Sequence, residues 1–188
     1  VFNVPINMVL PEMRRTAKVV NFGIMYGAGP FRISQELGIP RKESISLIEN
    51  YFQQYPGIQN YIDSTCSNAR EHKYVETILG RKRPIWDADS DNGMRRKAAE
   101  RMAINMPIQG SAAEMIKLAM INIHQGINEM DLRAKLVLQI HDELIFEFPS
   151  EEEEDLVKLV IDKMENAMRL SVPVVVDYGI GNSWYEAH

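Results

Sequence analysis

The fold of this chain is decided by residues 135–148, KLVLQIHDELIFEF. Two apolar runs, 135–140 and 144–148, are rich in the residue types that favour β-strands. The polar residues HDE at 141–143 separate the two runs, and so short a connection leaves room only for a tight turn. The segment therefore predicts an antiparallel hairpin with a polar tip.

Helices are predicted on both sides of this hairpin. Upstream, the pattern over 94–125 is helical apart from Pro107, which lacks a backbone N–H and predicts a kink. Downstream, Ser150 is followed three residues later by Glu153, which is the pattern of a capping box. A helix is therefore predicted to begin there and to reach about Arg169.

The rest of the chain completes the prediction of the fold class. Proline and glycine punctuate the first part and predict helices over 11–26, around 31–37 and 41–54, and, after a break at Pro56-Gly57, to about 72. An extended segment then ends in the polar loop DADSDNG at 87–93, and a last strand is predicted over 174–178. Runs of helix followed by a hairpin predict an α+β fold, with one lobe over 1–92 and a second over 93–188.

Charge is distributed unevenly along the chain, whose net charge is −5. Residues 1–110 hold 15 Lys and Arg against 11 Asp and Glu, whereas residues 111–188 hold 6 against 15, so the two parts carry +4 and −9. The first part is the better candidate for meeting an anion and the second for holding a cation. The alternative is that these charges only solvate two surfaces.

Several classes of protein are not supported by the sequence. No apolar run reaches the roughly 18 residues of a membrane span, and the first residues lack the basic region of a signal peptide. The single cysteine, Cys66, cannot form an intrachain disulfide, which favours a reducing cytosol. P-loop, HExxH and GxSxG motifs are absent. Because the chain begins with Val1, we expect it to be part of a longer protein.

Four side chains of the first predicted helix share one face. Arg14, Lys18, Phe22 and Tyr26 follow one another at intervals of four residues, and each interval turns only about 40° around a helix. The two cations repel each other at this spacing, and a bound anion would relieve the repulsion. The stripe has the residue types of a nucleotide site, with a triphosphate along the cations and a base against Phe22. The alternative is a solvated basic turn followed by two core aromatics.

A second polar stripe lies on the helix that contains Pro107. Arg101, Asn105 and Gln109 again follow at intervals of four residues and offer donors and acceptors suited to sugar, phosphate and minor-groove base edges. The same pattern is also typical of a solvated helix face. The basic runs 81–83 and 95–97 could likewise meet phosphates or simply face solvent.

The hairpin tip is a candidate metal site. Magnesium takes one or two carboxylates together with waters and substrate phosphates, and Asp142 and Glu143 supply carboxylates. Consecutive strand residues point to opposite faces, so these two side chains are not expected to chelate one ion by themselves. A second carboxylate would have to come from elsewhere. The alternative is that the tip is polar only because it is a turn.

Taken together, these segments resemble family A DNA polymerases, the group of bacterial DNA polymerase I. Residues 14–27, RRTAKVVNFGIMYG, are similar to motif B on the fingers helix of that family, and 141–143 to motif C on its palm hairpin. Residues 101–110, RMAINMPIQG, resemble the helix beside that hairpin, and 179–188 the C-terminus of the family. The resemblance implies a fingers subdomain over 1–92 and the C-terminal part of a palm over 93–188.

This resemblance implies template-directed addition of deoxynucleotides to a primer 3′ end by catalysis with two Mg²⁺ ions. Arg14 and Lys18 would grip the triphosphate, and Lys18 would also be a candidate proton donor to the leaving pyrophosphate. Phe22 would pack against the incoming sugar and base, and Tyr26 would stand at the template insertion site. The implied setting is a cytoplasmic protein associated with the nucleoid.

The resemblance also implies roles for residues of the second lobe and of the preceding helix. Asp142 would be a metal ligand in catalysis, with Glu143 assisting nearby. The residues expected to contact primer and template are Arg101, Asn105, Gln109 and His141. Primer-template DNA and deoxynucleoside triphosphates are thus the expected partners, and no membrane is expected.

One element of the family pattern has no counterpart here. Motif A, an Asp-Tyr-Ser-like strand that supplies the other metal aspartate, is not found in residues 1–10. We therefore expect a fingers-and-palm piece that is inactive alone and whose uncovered palm edge favours self-association. The alternative from another class is a non-catalytic nucleotide- or DNA-binding module.

Overall fold

The computed structural model describes residues 4–187. Residues 1–3 and His188, the last residue of the closing segment singled out in the sequence, lie outside the described residues. The described helices are α1 Pro11–Met25, α2 Pro30–Leu37, α3 Arg41–Gln54, α4 Pro56–His72, α5 Gly93–Glu129, α6 Glu153–Glu165 and α7 Trp184–Ala187. The described strands are β1 Tyr74–Glu76, β2 Lys82–Pro84, β3 Lys135–Ile140 and β4 Glu143–Glu147. The fold is α+β, as the sequence predicts.

The helix boundaries follow from backbone chemistry. Proline occupies the first position of α1, α2 and α4, where its missing N–H would have no partner in the helix anyway. Gly38 ends α2 with a φ of 66°, a left-handed conformation that glycine adopts without strain. Pro107 does not end α5, which is one helix of 37 residues.

The chain divides into two compact units, Val1–Ser111 and Ala112–His188. The division falls within α5, not in the polar loop at 87–93. The first part of α5 belongs to the first unit because Ala99, Ala103 and Met106 share a buried core with Val75 of β1. The assignment of fingers to 1–92 and palm to 93–188 stays a prediction.

The apolar cores formed by the described residues lie within the units, and none is shared between them. In the first unit, Val20 and Ile24 of α1 pack with Ile33 of α2 and Tyr51 of α3, separately from the core around Val75. The core of the second unit contains Ala119, Ile123 and Ile127 of α5 together with Leu156 of α6. The helix α1 is thereby fixed by one face and leaves the other free for function.

Two antiparallel sheets, each of two strands, are present among residues 4–187. In the first sheet Val75 faces Arg83, and in the second Ile140 faces Glu143. The second pairing confirms the predicted hairpin and leaves a turn of two residues, His141 and Asp142. An irregularity in register between Leu136 and Leu138 marks a bulge in β3.

The capping box predicted at Ser150 is wrong. Ser150 opens a short 3-10 turn, and no side chain caps that turn or α6. The Glu152 carboxylate instead accepts hydrogen bonds from the backbone N–H groups of Arg133 and Ala134, at 2.9 and 3.0 Å. The acidic residues here tie the start of β3 to the segment before α6, and α6 ends at Glu165, short of the predicted end.

The strand predicted over 174–178 is also absent from the described structure. The hairpin sheet contains only β3 and β4, so this segment has no neighbouring strand among residues 4–187. The Val176 N–H donates instead to the Glu165 carboxylate at 3.1 Å. This apolar run of strand-forming residues is irregular and has no strand partner among residues 4–187.

No helix within the described range 4–187 is both long enough and apolar enough to cross a bilayer.

Candidate functional site

The predicted stripe on α1 is a continuous exposed surface. Arg14 and Lys18 are exposed, Phe22 is 47% exposed and Tyr26 is 45% exposed. The rings of Phe22 and Tyr26 stack with their centroids 6.3 Å apart, and the Lys18 ammonium lies 6.0 Å from the centroid of Phe22. The two aromatics are therefore surface groups beside a cation, and the alternative of core residues does not hold.

A groove of about 560 Å³ lies beside this stripe. Lys18, Asn21 and Phe22 line it from α1, and Tyr51 and Tyr55 line it from the end of α3. The other lining residues are Val4, Val9, Met13, Ala17 and Ile58. The groove thus combines an apolar wall with one ammonium group, which is the composition of a site for a ring bearing an anionic group.

The sequence reasoning did not find two polar residues of this groove, Asn21 and Tyr51. The Tyr51 hydroxyl donates a hydrogen bond of 2.6 Å to Asn21 Oδ1. Burial, and to a lesser degree Tyr55, raises the pKa of Tyr51, so the hydroxyl keeps its proton and acts as a donor. A contact across 30 residues leaves no signal in spacing along the chain, and only the position of Asn21 beside Phe22 could have pointed to it.

The second stripe is partly exposed on α5. Arg101 and Gln109 are exposed, and Asn105 is half-buried and donates to the Arg101 carbonyl at 2.8 Å. Gly27, which follows α1, has a φ of 69° and approaches Arg101 so closely that a Cβ there would lie 2.7 Å from Arg101 Cγ. The structure therefore brings the end of the α1 stripe next to the beginning of the α5 stripe.

The basic β1–β2 hairpin is anchored to the same helix α5. Ser111 Oγ accepts a hydrogen bond from the Ile78 N–H at 2.9 Å and donates to the Pro107 carbonyl at 2.5 Å. The residues of β2 are exposed, so Lys82 and Arg83 face solvent. Of the second basic run, Arg96 donates to the Ser90 carbonyl at 2.8 Å.

The tip of the β3–β4 hairpin is placed by a turn of two residues. His141 has a φ of 54°, and its carbonyl accepts a hydrogen bond of 3.0 Å from Gln139 Nε2. Asp142 is exposed, whereas Glu143 is half-buried at the first position of β4. Among residues 4–187, no group of three or more His, Cys, Asp and Glu side chains is arranged to hold a metal ion. The role of Asp142 as a metal ligand stays a prediction.

Comparison with known proteins defines the class to which this chain belongs. The sequence model of DNA polymerase family A matches residues 1–186, and the chain belongs to this family.

Within this family, the chain is similar to DNA polymerase I of several bacteria. The chain is 48% identical to DNA polymerase I of Bacillus caldotenax over 100% of its own length and 45% identical to the thermostable DNA polymerase I of Thermus thermophilus over 99%. It spans 21% and 22% of these two proteins, about a fifth of their length.

A solved structure shares the fold. It is the POL domain of Pol1 from M. smegmatis in complex with DNA primer-template and dNTP, which is 44% identical in sequence with a TM-score of 0.96. The match covers 99% of this chain and 33% of that chain.

Proposed function

We propose that the protein to which this chain belongs is a DNA-directed DNA polymerase that adds deoxynucleotides to a primer 3′ end during DNA replication and repair. The observation that carries the proposal is the exposed array of Lys18 and Phe22 on α1 and Tyr26 at its C-terminal end, with Lys18 and Phe22 lining the groove. Membership of DNA polymerase family A supports it. A cytoplasmic location near the nucleoid follows from this activity.

The α1 stripe binds the incoming nucleotide in this proposal. Arg14 and Lys18 hold the triphosphate, because charge-assisted bonds from cations to phosphate are the stronger hydrogen bonds available to a protein. Lys18 Nζ also donates a proton to the leaving pyrophosphate. Phe22 packs against sugar and base, and Tyr26 stands at the template insertion site, where its stacked ring presents a flat surface to a base.

Primer and template are held by the polar residues that follow α1 in the chain. Arg101, Asn105 and Gln109 contact the sugar, the phosphate and the minor-groove base edges, and His141 contacts DNA from the hairpin tip. The approach of Gly27 to Arg101 supports a joint role for the two stripes, because it brings Arg101 close to Tyr26.

The residues at the hairpin tip fit a magnesium ion in their chemistry. Asp142 would hold the metal, with Glu143 assisting, and a site of one or two carboxylates completed by water and substrate phosphate is typical of Mg²⁺. Bound magnesium would supply Lewis-acid polarisation and neutralise charge on the phosphates. We propose two such ions in the complete enzyme.

The 188-residue chain by itself is proposed to bind nucleotide or DNA without extending a primer. The support is that residues 1–188 contain no counterpart of motif A and that the described residues bring no third metal-ligating side chain to the tip. We also propose that the isolated chain self-associates. Val175 and Tyr185 of the closing segment, which are 75% and 94% exposed, support this proposal.

The test is primer extension by the full-length protein and by its variants. Arg14→Ala and Lys18→Ala are each expected to raise the KM for deoxynucleotide about tenfold or more, because each removes a charge-assisted contact of roughly 1.5–3 kcal/mol. Asp142→Asn is expected to abolish extension. Far-ultraviolet circular dichroism of each variant should match that of the parent.

Lys42→Ala is the matched control, since Lys42 is an exposed cation on the neighbouring helix α3. It should leave the KM within about twofold of the parent value. Normal kinetics in both α1 variants, or full activity of Asp142→Asn, would show that the residue roles are wrong. Magnesium-dependent extension by the mass-verified 188-residue chain would show that the chain is catalytic alone.

A further inference from the structure

Tyr51 is one of the most deeply buried large side chains of the first unit. Only 2% of it is exposed, and its ring lies in the core with Val20, Ile24 and Ile33. The ring also meets Phe52 edge-on at 5.9 Å and Tyr55 at 5.1 Å between centroids. A phenylalanine would satisfy all of these apolar contacts, so the core does not explain why the residue carries a hydroxyl.

The hydroxyl has its partner on the functional face of α1. It donates to Asn21 Oδ1 at 2.6 Å, a short bond for two neutral side chains. Asn21 is exposed, directly precedes Phe22 and lies three residues after Lys18. On a helix, a residue three positions away is a surface neighbour, so Asn21 lies next to Lys18. Asn21 and Phe22 also line the same groove.

The same four residues also share the groove. Lys18, Asn21, Phe22 and Tyr51 all line the cavity of about 560 Å³ beside the stripe. The Tyr51–Asn21 bond therefore joins the opposite wall of the groove to the turn of α1 that presents Lys18 and Phe22. Its length constrains the distance between α3 and that turn.

The helix α3 that carries Tyr51 is itself held at its other end. Ser44 is fully buried, and its hydroxyl lies 2.8 Å from the Pro30 carbonyl at the start of α2 and 2.8 Å from the Arg41 carbonyl. The single hydroxyl hydrogen can serve either acceptor, so α3 is tied to α2 near one end and to α1 near the other. Tyr51 thus projects from a helix that is also held by α2.

We propose that Tyr51 is a positioning residue for nucleotide binding, which acts through Asn21 and holds the Lys18–Phe22 turn of α1 in its binding geometry. This inference rests on the proposed polymerase function and adds a residue that acts through its hydrogen bond to Asn21. Loss of the hydroxyl leaves the core packed and frees the turn to sample orientations that bind nucleotide less well. The affinity for deoxynucleotide falls, while the chemical step is preserved once nucleotide is bound.

The experiment uses the full-length protein and the variant Tyr51→Phe. We expect the KM for deoxynucleotide to rise about threefold to tenfold, the range that corresponds to one neutral hydrogen bond, while kcat and the Kd for primer-template stay within about twofold. Asn21→Ala removes the same bond from its exposed end. In the double variant the KM should be no higher than in the worse single variant, because both changes remove one interaction.

Tyr61→Phe is the matched control. Tyr61 is half-buried in the same unit, and its hydroxyl donates to the Ile104 carbonyl at 2.7 Å. This variant loses a comparable hydrogen bond away from α1, so its thermal midpoint should fall about as far as that of Tyr51→Phe with no change in nucleotide KM. A purely structural role for Tyr51 would make the two variants behave alike.

Each outcome decides the inference. A nucleotide KM that is unchanged in Tyr51→Phe, raised equally in Tyr61→Phe or raised additively in the double variant would overturn it. If Tyr51→Phe does not fold, the nucleotide KM of Asn21→Ala is the test, because an exposed side chain can be removed without opening the core. An unchanged nucleotide KM in Asn21→Ala would then overturn the inference. A parent protein that does not extend primers overturns the proposed function and this inference together, whereas normal extension with unaffected variants overturns the inference alone.

Discussion

At the scale of single residues, Gly27 shows how the end of one helix sets the position of a side chain on another. Its φ of 69° lies in the left-handed region, and its missing Cβ makes room for the stem of Arg101. Both properties require glycine at the same position. The approach of α1 to Arg101 therefore depends on a residue that makes no polar contact itself.

Gly27→Ala is expected to destabilise the chain by at least about 1–2 kcal/mol, the cost of a left-handed conformation for a residue with a Cβ, because Arg101 must also move aside. Thermal unfolding followed by circular dichroism measures the effect. Gly57→Ala is the control, since Gly57 lies in α4 with open space where a Cβ would be, and alanine there should be neutral or stabilising by roughly 0.5–1 kcal/mol. Equal midpoints for the two variants would contradict this account of Gly27.

At the scale of elements, the β1–β2 hairpin is too short to be stable alone and depends on α5. Ser111 joins the two by bonding to the Ile78 N–H and to the Pro107 carbonyl. Thr77 at the turn is buried, and its Oγ1 accepts from the Arg81 N–H at 3.0 Å. The basic residues of this hairpin thus take their position from a helix that follows them in sequence.

Ser111→Ala is expected to lower the free energy of unfolding by about 1 kcal/mol, since it removes the acceptor of the Ile78 N–H and the donor to Pro107. Ser46→Ala is matched to it, because Ser46 is also in a helix and bonds to a carbonyl four residues earlier, at 3.3 Å, but is exposed. This control should change stability by no more than roughly 0.5 kcal/mol. Hydrogen exchange of the Ile78 amide should accelerate only in Ser111→Ala, and unchanged exchange there would argue against the anchor.

The elements also show how far sequence reasoning reaches. The helix that begins at Pro11 was predictable because proline and the residues around it decide the backbone locally. Pro30 and Pro56 are predicted as breaks before a helix, whereas each is the first residue of one. The hairpin at 135–148 was predictable because strand-forming runs and a short polar connection also act locally. The strand over 174–178 failed because a strand needs a neighbouring strand, and none pairs with it among residues 4–187. At Ser150 no side chain caps the helix, and the carboxylate of Glu152 bonds instead to the backbone of Arg133, 19 residues earlier.

Some features of the candidate site were also predictable from the sequence, and others were not. The spacing of Lys18, Phe22 and Tyr26 predicts a shared face, since a helix repeats regularly, and the structure confirms that face. The Tyr51–Asn21 bond and the approach of Gly27 to Arg101 span 30 and 74 positions, and only the packing of helices creates them. The sequence therefore predicts which side chains belong to the candidate site, but not the groups that hold them in place.

At the scale of the whole molecule, the uneven charge coincides with the two compact units. Ser111 is uncharged, so the unit Val1–Ser111 carries +4 and the unit Ala112–His188 carries −9. Arg133 and Lys158 of the second unit lie close to carboxylates. Arg133 contacts Glu151 and Glu152, and Lys158 contacts Glu154. Stability of this unit is therefore expected to depend on pH.

The pKa of Glu151 is lowered, first by a bond from its own backbone N–H and then by Arg133, and Lys158 lowers the pKa of Glu154. Because these folded-state pKa values lie below the unfolded ones, the stabilisation is complete above about pH 4.5 and is lost as the pH falls through the folded values. Arg133→Met should therefore lower the thermal midpoint at pH 7 and have much less effect at pH 3. Arg169→Met, which removes another exposed cation of the same unit, should be nearly neutral at both values. An Arg133→Met effect of equal size at pH 7 and pH 3 would contradict the assignment.

The left-handed backbone of His141 at the hairpin tip has a consequence for directed evolution. A φ of 54° is adopted most readily by glycine and is tolerated by asparagine, aspartate and histidine, whereas β-branched residues avoid it. A library randomised at this codon would thus be filtered twice, by folding and by activity. Selection for soluble expression alone should enrich glycine and asparagine, and selection for the proposed primer extension should return histidine. The difference between the two enrichment profiles would measure how far the need for an imidazole overrides the backbone preference at this position.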